Sequence, residues 1–127
     1  MYVMKSQKGQ ALVALLVFMV VAITITSAAI IIMAVNSLSA SDVEQGVVTS
    51  ALSDGGVENA MLRLLRNPSY SGETLSYDDG TADVEVAGSG NLSITSDATL
   101  NDFLSRMVAE VNYSNYIFSL TSWKEEF

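Results

Sequence analysis

Residues 11–35 read ALVALLVFMVVAITITSAAIIIMAV, and this uncharged stretch decides how the rest of the chain is interpreted. Of its 25 residues, 22 are apolar, and the three exceptions are Thr24, Thr26 and Ser27. As a helix the stretch would be about 37 Å long, enough to cross a bilayer core of about 30 Å. The three hydroxyl groups are tolerated in lipid because they can hydrogen-bond back to the preceding helical turn. The stretch therefore predicts a transmembrane helix.

The composition of the whole chain hides two different segments. The chain has 127 residues, a formal net charge of −8 and a mean hydropathy of +0.36, which is high for so acidic a protein. Half of all residues are apolar, but outside residues 11–35 the number falls to 41 of 102. That share is ordinary for a soluble domain. The excess of apolar residues is thus confined to the predicted membrane helix.

Residue types that are absent exclude several classes of function. The chain has no Cys and no His, which excludes disulfides, zinc–thiolate sites, imidazole ligands and Ser–His or Cys nucleophiles. Fourteen acidic residues against six basic ones disfavour direct binding of nucleic acid, which requires a basic surface. We expect no catalytic site, no cofactor and no metal site in this chain.

The densest acidic cluster is the one candidate for a metal site. Asp78, Asp79, Asp83 and Glu85 lie close together in the sequence, and calcium prefers carboxylate oxygens. The spacing is not that of an EF-hand loop, and Asp78-Asp79-Gly80 is typical of a hairpin turn. We interpret the cluster as a turn.

The charges on either side of the apolar stretch predict its orientation. The preceding segment carries Lys5 and Lys8 and no acid, whereas residues 36–127 carry four basic and fourteen acidic residues, 4 − 14 = −10. The positive-inside rule places the N-terminus in the cytoplasm. A cleaved signal peptide is the competing interpretation, but its apolar core is usually shorter, and a cut after Ala40 would have the bulky Leu38 at the third position before it. The sequence favours a single-pass protein of the cytoplasmic membrane.

Beyond the membrane stretch the pattern remains helical. No strong helix breaker occurs before Asn67-Pro68, and the pattern predicts one helix from about Ala11 to Arg66. Gly55-Gly56 lies inside it and should permit a bend or a break. Apolar residues recur at helical spacing and predict one stripe that faces a second layer: Val43, Val47, Ala51, Val57, Met61, Leu64 and Leu65.

After Pro68 the apolar period changes from 3.6 to 2, which predicts an antiparallel meander of four or five strands. The predicted strands are Thr74–Tyr77, Thr81–Ala87 with Ala82, Val84 and Val86 on one face, a third around Leu92 and Ile94, and Tyr116–Trp123. Residues 100–111 fit either a strand or a helix. In the last strand we expect Phe118 and Leu120 to face inward, with Tyr116 as a third candidate.

A meander of this size needs a second layer, and the helix supplies it. The predicted fold is α+β: a long N-terminal helix, half transmembrane and half amphipathic, packed against a small antiparallel sheet. The expected divisions are a basic leader at 1–9, a transmembrane or filament-core helix at 10–36, an amphipathic helix at 37–67 and a β-sheet head at 68–127. The expected helix–sheet core consists of Val57, Met61, Leu64, Leu65, Val84, Val86, Phe118 and Leu120.

Several motifs together resemble the type IV pilin and pseudopilin family over essentially the whole chain. They are KGQALV at residues 8–13, ALSDGGVENAMLRLLRNPSYSGETL at 51–75 and FSLTSWKE at 118–125, and they are most similar to PilX-type minor pilins. The resemblance implies that a prepilin peptidase cuts between Gly9 and Gln10 and that the new N-terminus is methylated. It also implies that the subunit leaves the membrane for an extracellular filament, with other pilin subunits and a pilus or type II secretion-like assembly platform as partners.

Three features depart from the common pilin pattern. Gln10 stands where Phe or Met is usual, and Ala14 stands where most major pilins have a Glu. Many pilins also have a proline in the middle of the helix, whereas the one proline of this chain, Pro68, follows the predicted helix. The missing carboxylate is typical of some minor pilins. The resemblance therefore implies a minor pilin or tip pseudopilin.

Small residues in the apolar helix could allow neighbouring helices to approach closely in a filament core. They are Ala11, Ala14, Ala22, Ala28 and Ala29. Equally, these alanines could simply favour helix formation in a lone anchor. The alternative function is thus a permanent single-pass membrane protein whose extracytoplasmic β-domain binds something else.

Overall fold

The computed structural model describes residues 5–78 and 80–126, with side chains from Lys8 onward. Residues 1–4 of the predicted leader, the side chain of Lys5 and all of Asp79 lie outside the described residues. The chain divides into two compact units, Met1–Ser41 and Asp42–Phe127. The described part of the first unit is helical from residue 5, and the second unit contains helix and all five strands of the sheet.

Helix α1 (Lys5–Arg66) is continuous and ends where the sequence predicts. The residue before a proline is forced out of the helical region, so Asn67-Pro68 stops the helix. The Asn67 amide still donates to the carbonyl of Arg63 at 2.8 Å, and the Asn67 side chain accepts a bond from the Ser69 amide at 3.1 Å. The predicted weak point at Gly55-Gly56 does not break the helix.

The second unit contains one antiparallel sheet whose five strands follow one another in chain order. The strands are β1 (Gly72–Ser76), β2 (Thr81–Ser89), β3 (Asn91–Leu100), β4 (Phe103–Ser114) and β5 (Ile117–Glu126). Helical residues of the same unit pack against one face of this sheet. The predicted α+β architecture, a long helix on a small meander, is confirmed.

The segment that could be strand or helix is a strand. In β4 the side chains of Ser105, Met107, Ala109 and Val111 are buried, and those of the intervening residues are more exposed. This alternation is the period of a strand with one face on the core. A two-residue connection precedes it, in which Asn101 has a φ of 51°, a conformation that Asn tolerates well.

Strand β5 contains a bulge that the sequence pattern does not reveal. Glu110 pairs with Ser122, but the next residue, Val111, pairs with Leu120, so Thr121 has no partner on β4. An extra residue of this kind changes which side chains of a strand share a face. As a result, the inward and outward positions of β5 do not alternate regularly along the whole strand.

The core joins one side of α1 to the inner face of the sheet. Val57, Leu64 and Val84 are buried, as predicted, and Val86 is partly buried against them. The other predicted members that pack on the core are Met61 and Phe118. The buried apolar residues that were not predicted as core are Ala60, Ala82, Ile94, Ala98, Leu100, Met107, Ala109 and Val111.

Leu65, Leu120 and Tyr116 were expected to face inward but are exposed. Leu65 directly follows Leu64 on the helix, about 100° around its axis, so when Leu64 faces the sheet Leu65 cannot; it is 59% exposed. Leu120 is 49% exposed because β5 is the outermost strand, with a neighbour on only one side. Tyr116 precedes β5 in the connecting turn and is 94% exposed.

Gly56 sets how closely the helix approaches the sheet. A Cβ atom built on Gly56 would lie 2.1 Å from Ser96 Oγ and 3.1 Å from both Ser96 Cβ and Val84 Cγ2. On the neighbouring Gly55 the nearest atom would be Tyr77 Oη, at an ordinary 3.9 Å. Gly56 is therefore required by the close contact, whereas Gly55 is not.

We expect opposite effects from replacing these two glycines with alanine. Both substitutions gain helix propensity, about 0.8–1 kcal/mol. Gly56→Ala also overpacks the helix–sheet contact and should lower the free energy of unfolding by a net amount of about 1–2 kcal/mol. Gly55→Ala should raise it by up to about 1 kcal/mol.

Thermal unfolding of the full-length chain in detergent micelles, followed by circular dichroism, measures both effects. Ser96→Ala removes the nearest atom and should recover part of the stability lost in Gly56→Ala. Equal stabilisation by the two glycine substitutions would contradict the close contact.

Candidate interaction surface

The first unit offers a fully exposed apolar helix. Its described side chains from Lys8 to Ala40, including Gln10 and the five alanines predicted for helix packing, are all exposed. As predicted, Thr24 donates to the carbonyl of Val21 at 2.8 Å and Thr26 to that of Ala22 at 2.7 Å. The described residues contain one helix that is long and apolar enough to cross a membrane. Contacts of the alanines with other chains, and processing at Gly9, stay predictions.

The second unit has two contrasting helix faces. Small residues dominate the buried face: Thr49, Ser53, Gly56, Val57, Ala60 and Leu64. Val43, Val47 and Ala51, which we expected on that face, are exposed. The apolar spacing thus predicts the buried side correctly near Val57 and Leu64 but not near Val43 and Val47, where the small polar residues Thr49 and Ser53 face the sheet instead.

Serine hydroxyls and one carboxylate connect the buried helix face to the end of the sheet. Ser50 and Ser105 both donate to Glu125 Oε1, at 2.9 and 3.0 Å. The hydroxyl oxygens of Ser53 and Ser105 are 3.0 Å apart, and Ser53 also donates to the carbonyl of Ser50 at 2.8 Å. The hydrogen bonds satisfy groups that would be costly to bury alone. This part of the interface is held by polar contacts, and the part near Leu64 by apolar ones.

A further hydrogen bond fixes strand β5 on the helix. Trp123 Nε1 donates to Asp54 Oδ1 at 2.9 Å, and both residues are partly buried. Bonds to a charged acceptor are stronger than bonds between neutral groups. The indole also packs against the hydrophobic core, so Trp123 contributes both apolar burial and a specific polar contact.

The end of the helix is attached to β1 by a small polar group. Arg63 Nε lies 3.1 Å from Glu73 Oε1, and the Tyr70 hydroxyl donates to the same oxygen at 3.1 Å. Burial, the hydrogen bond and the negative charge of Glu73 raise the pKa of Tyr70 to about 12. The shift further favours the neutral phenol, which is the form that donates this hydrogen bond.

Four large apolar side chains form what we call the outward stripe, on helix surface that the sheet leaves uncovered. They are Val43, Val47, Leu62 and Leu65, each about 60% exposed or slightly more. Val47 and Leu65 are 18 residues apart, about five helical turns, and so point in the same direction. The exposed Glu58 lies between the two apolar pairs. Within the second unit, this stripe departs from the polar surface that is usual for a soluble protein's helix.

Three members of the acidic cluster, Asp78, Asp83 and Glu85, lie within the described part of the chain. Asp83 accepts a hydrogen bond from Thr74 at 2.7 Å across the β1–β2 pair. Among the described residues no group of three or more His, Cys, Asp or Glu side chains could hold a metal ion. Asp79, the fourth member, lies outside these residues.

Among known proteins, no family model, no curated protein and no solved structure matches the chain. The functional interpretation therefore depends on the residues and their geometry.

We expect Asp54 and Trp123 to be energetically coupled. Asp54→Ala and Trp123→Phe each remove their shared hydrogen bond and should each lower the free energy of unfolding, and a double-mutant cycle should give a coupling of about 1–2 kcal/mol. Glu58→Ala, on the exposed side of the same helix, should change stability by no more than about 0.5 kcal/mol. Chemical unfolding of the full-length chain in detergent measures all four variants. Strictly additive effects would contradict the coupling.

Proposed function

We propose that the chain is a minor pilin or pseudopilin subunit that is incorporated into, or initiates, a type IV pilus or related secretion filament. It would be inserted with its N-terminus in the cytoplasm, cut between Gly9 and Gln10, and methylated at Gln10. In this proposal the apolar helix is stored in the membrane and is buried among neighbouring helices after assembly. The chain needs no catalytic site for this role.

The outward stripe is the observation that carries the proposal. Val43, Val47, Leu62 and Leu65 lie outside the predicted membrane span of residues 10–36, on the side of the helix that the sheet leaves uncovered. Apolar side chains repeated along one helix face favour packing against another helix. In a lone membrane anchor, apolar side chains beyond the lipid would stay exposed to water. In a subunit that packs beside other helices, the same side chains become buried.

The energy available from the stripe is sufficient to matter for assembly. Complete burial of one Val or Leu side chain is worth about 1.5–3 kcal/mol. Four such residues, each already partly covered by its own helix, retain more than half of their surface for burial. Against this, residues 36–127 carry a formal charge of −10, so neighbouring subunits repel one another. Salt screens this repulsion over about 8 Å at physiological ionic strength, and we expect assembly to be favoured by salt.

The departures from the common pilin pattern support a minor rather than an abundant subunit. By resemblance, most major pilins have, in place of Ala14, a Glu whose carboxylate neutralises the N-terminal amine of a neighbouring subunit. Ala14 offers no such carboxylate. The exposed Glu58 and Arg66 provide opposite charges beside the outward stripe. Such charges help to fix which subunits pair and in what register.

Charges placed in the outward stripe should block assembly without unfolding the subunit. We expect Val47→Glu combined with Leu65→Glu to lower incorporation into sheared surface filaments by at least about tenfold, because each lost contact is worth about 1.4 kcal/mol or more. Leu104→Glu is the matched control, since Leu104 is 69% exposed but lies on the sheet. Immunoblots of sheared filaments and of membranes measure incorporation and subunit level. Unchanged incorporation of the double variant would contradict the role of the stripe.

The mature N-terminus separates the proposal from its rival. Mass spectrometry of the native protein should find a methylated Gln10 as the first residue. An intact Met1 would instead favour the permanent membrane-anchored binding protein, and a cut after Ala40 would indicate secretion. Either result would overturn the pilin proposal.

A further inference from the structure

A pocket opens on the face of the sheet that is turned away from the helix. Its volume is about 420 Å³, within the usual range for small-molecule sites of about 300–1,000 Å³. The polar residues that line it are Asn91, Ser93, Glu110, Asn112 and Thr121, from three adjacent strands. None of them belongs to the outward stripe or to the buried helix–sheet contacts.

The strand register explains why these side chains converge. In β3 the buried residues have even numbers and in β4 odd numbers, so Asn91, Ser93, Glu110 and Asn112 lie on the opposite, outer face. Asn91 is directly opposite Asn112, and Ser93 is directly opposite Glu110. Four polar side chains thus form two adjacent cross-strand pairs.

The bulge in β5 adds the fifth polar group. Thr121 is the residue without a partner on β4, and it lines the pocket beside Glu110. Bulges occur frequently beside functional sites, where they redirect a side chain that a regular strand would place elsewhere. The bulge therefore lies at the edge of the pocket, at Thr121.

The hydrogen-bonding groups of the pocket are suited to hydroxyl groups. Asn112 Nδ2 donates to Asn91 Oδ1, which leaves the Asn91 amide nitrogen as a donor and the Asn112 oxygen as an acceptor. The carboxylate of Glu110 only accepts, and the hydroxyls of Ser93 and Thr121 both donate and accept. Among the described residues, no basic side chain lines the pocket, so an anionic ligand would be poorly matched.

An exposed aromatic residue lies at the same end of the sheet. Tyr116 is 94% exposed, and both it and Asn115 have left-handed backbone conformations, with φ of 64° and 53°. This conformation costs a residue such as Tyr about 1–2 kcal/mol. The Tyr113 amide donates to the Gly90 carbonyl at 2.9 Å and ties this turn to the β2–β3 turn, next to Asn91. The exposed ring of Tyr116 offers an aromatic surface at this end of the sheet.

We propose that this pocket binds a neutral saccharide. Adjacent hydroxyls of a pyranose ring would donate to Glu110 and exchange hydrogen bonds with the two asparagines, while Thr121 contacts a third hydroxyl. The site goes beyond the proposed filament role and does not depend on it, because binding requires only the folded second unit of the chain. The outer face of the sheet, which carries the pocket, could contact a saccharide on another surface when the subunit is part of a filament.

Saturation-transfer NMR on the full-length chain tests the proposal, in micelles of a detergent that contains no sugar. The probes are glucose, galactose, N-acetylglucosamine and N-acetylgalactosamine. At least one should receive saturation, with a Kd of about 0.1–10 mM, as expected for a shallow and hydrated pocket. Thr121→Val and Glu110→Gln should each weaken this binding by about tenfold.

Thr99→Val provides a control matched to Thr121→Val. Thr99 lies on the same face of the sheet but at the other end of β3, and it does not line the pocket. Its variant should bind as the native chain does. Absence of saturation transfer to all four sugars, or equal binding by all variants, would overturn the proposal. Saturation of ethanolamine alone would also overturn it, since Glu110 would then define an amine site.

Discussion

The close contact between Gly56 and Ser96 is the constraint on which the rest of the second unit depends. A helix lying this near to a sheet must present small residues to it, and Thr49, Ser53 and Ala60 lie on the same buried face. Of the larger side chains on this helix, Val57 and Leu64 also face the sheet beside these small residues, whereas Val47, Leu62 and Leu65 are exposed. The subunit's own sheet therefore does not cover the exposed apolar stripe.

The same constraint explains why the helix–sheet interface is polar at one end and apolar at the other. Serine side chains are small enough for the close contact, but once buried they need partners, and Ser50, Ser53 and Ser105 find them in one another and in Glu125. Such a network stabilises only when all its members are satisfied. Between the polar end and Leu64, the Asp54–Trp123 hydrogen bond combines both types of contact.

Much of the fold could be predicted from the sequence, because the strong signals are local. The uncharged run from Ala11 to Val35, the stop at Asn67-Pro68 and the alternation in Thr81–Ala87 each follow from the chain's own geometry. The direction of the amphipathic face could not be predicted, since Val43 and Val47 follow the helical period whether they face a sheet or another molecule. On the buried face, Val57 and Leu64 were predicted, whereas Thr49 and Ser53 were missed because hydrophobic periodicity does not count polar residues. The bulge at Thr121 was equally hidden, since it changes pairing without changing composition.

The two-layer arrangement separates the surfaces on which the functional proposals depend. The outward stripe lies on helix surface that the sheet leaves uncovered, and the pocket at Glu110 lies on the side of the sheet that faces away from the helix. Burying Val47 and Leu65 against a neighbouring helix would therefore leave Asn91, Asn112 and Thr121 directed away from that contact. A subunit with one small core can consequently assemble through its helix and bind a ligand through its sheet, without either function competing for the same residues.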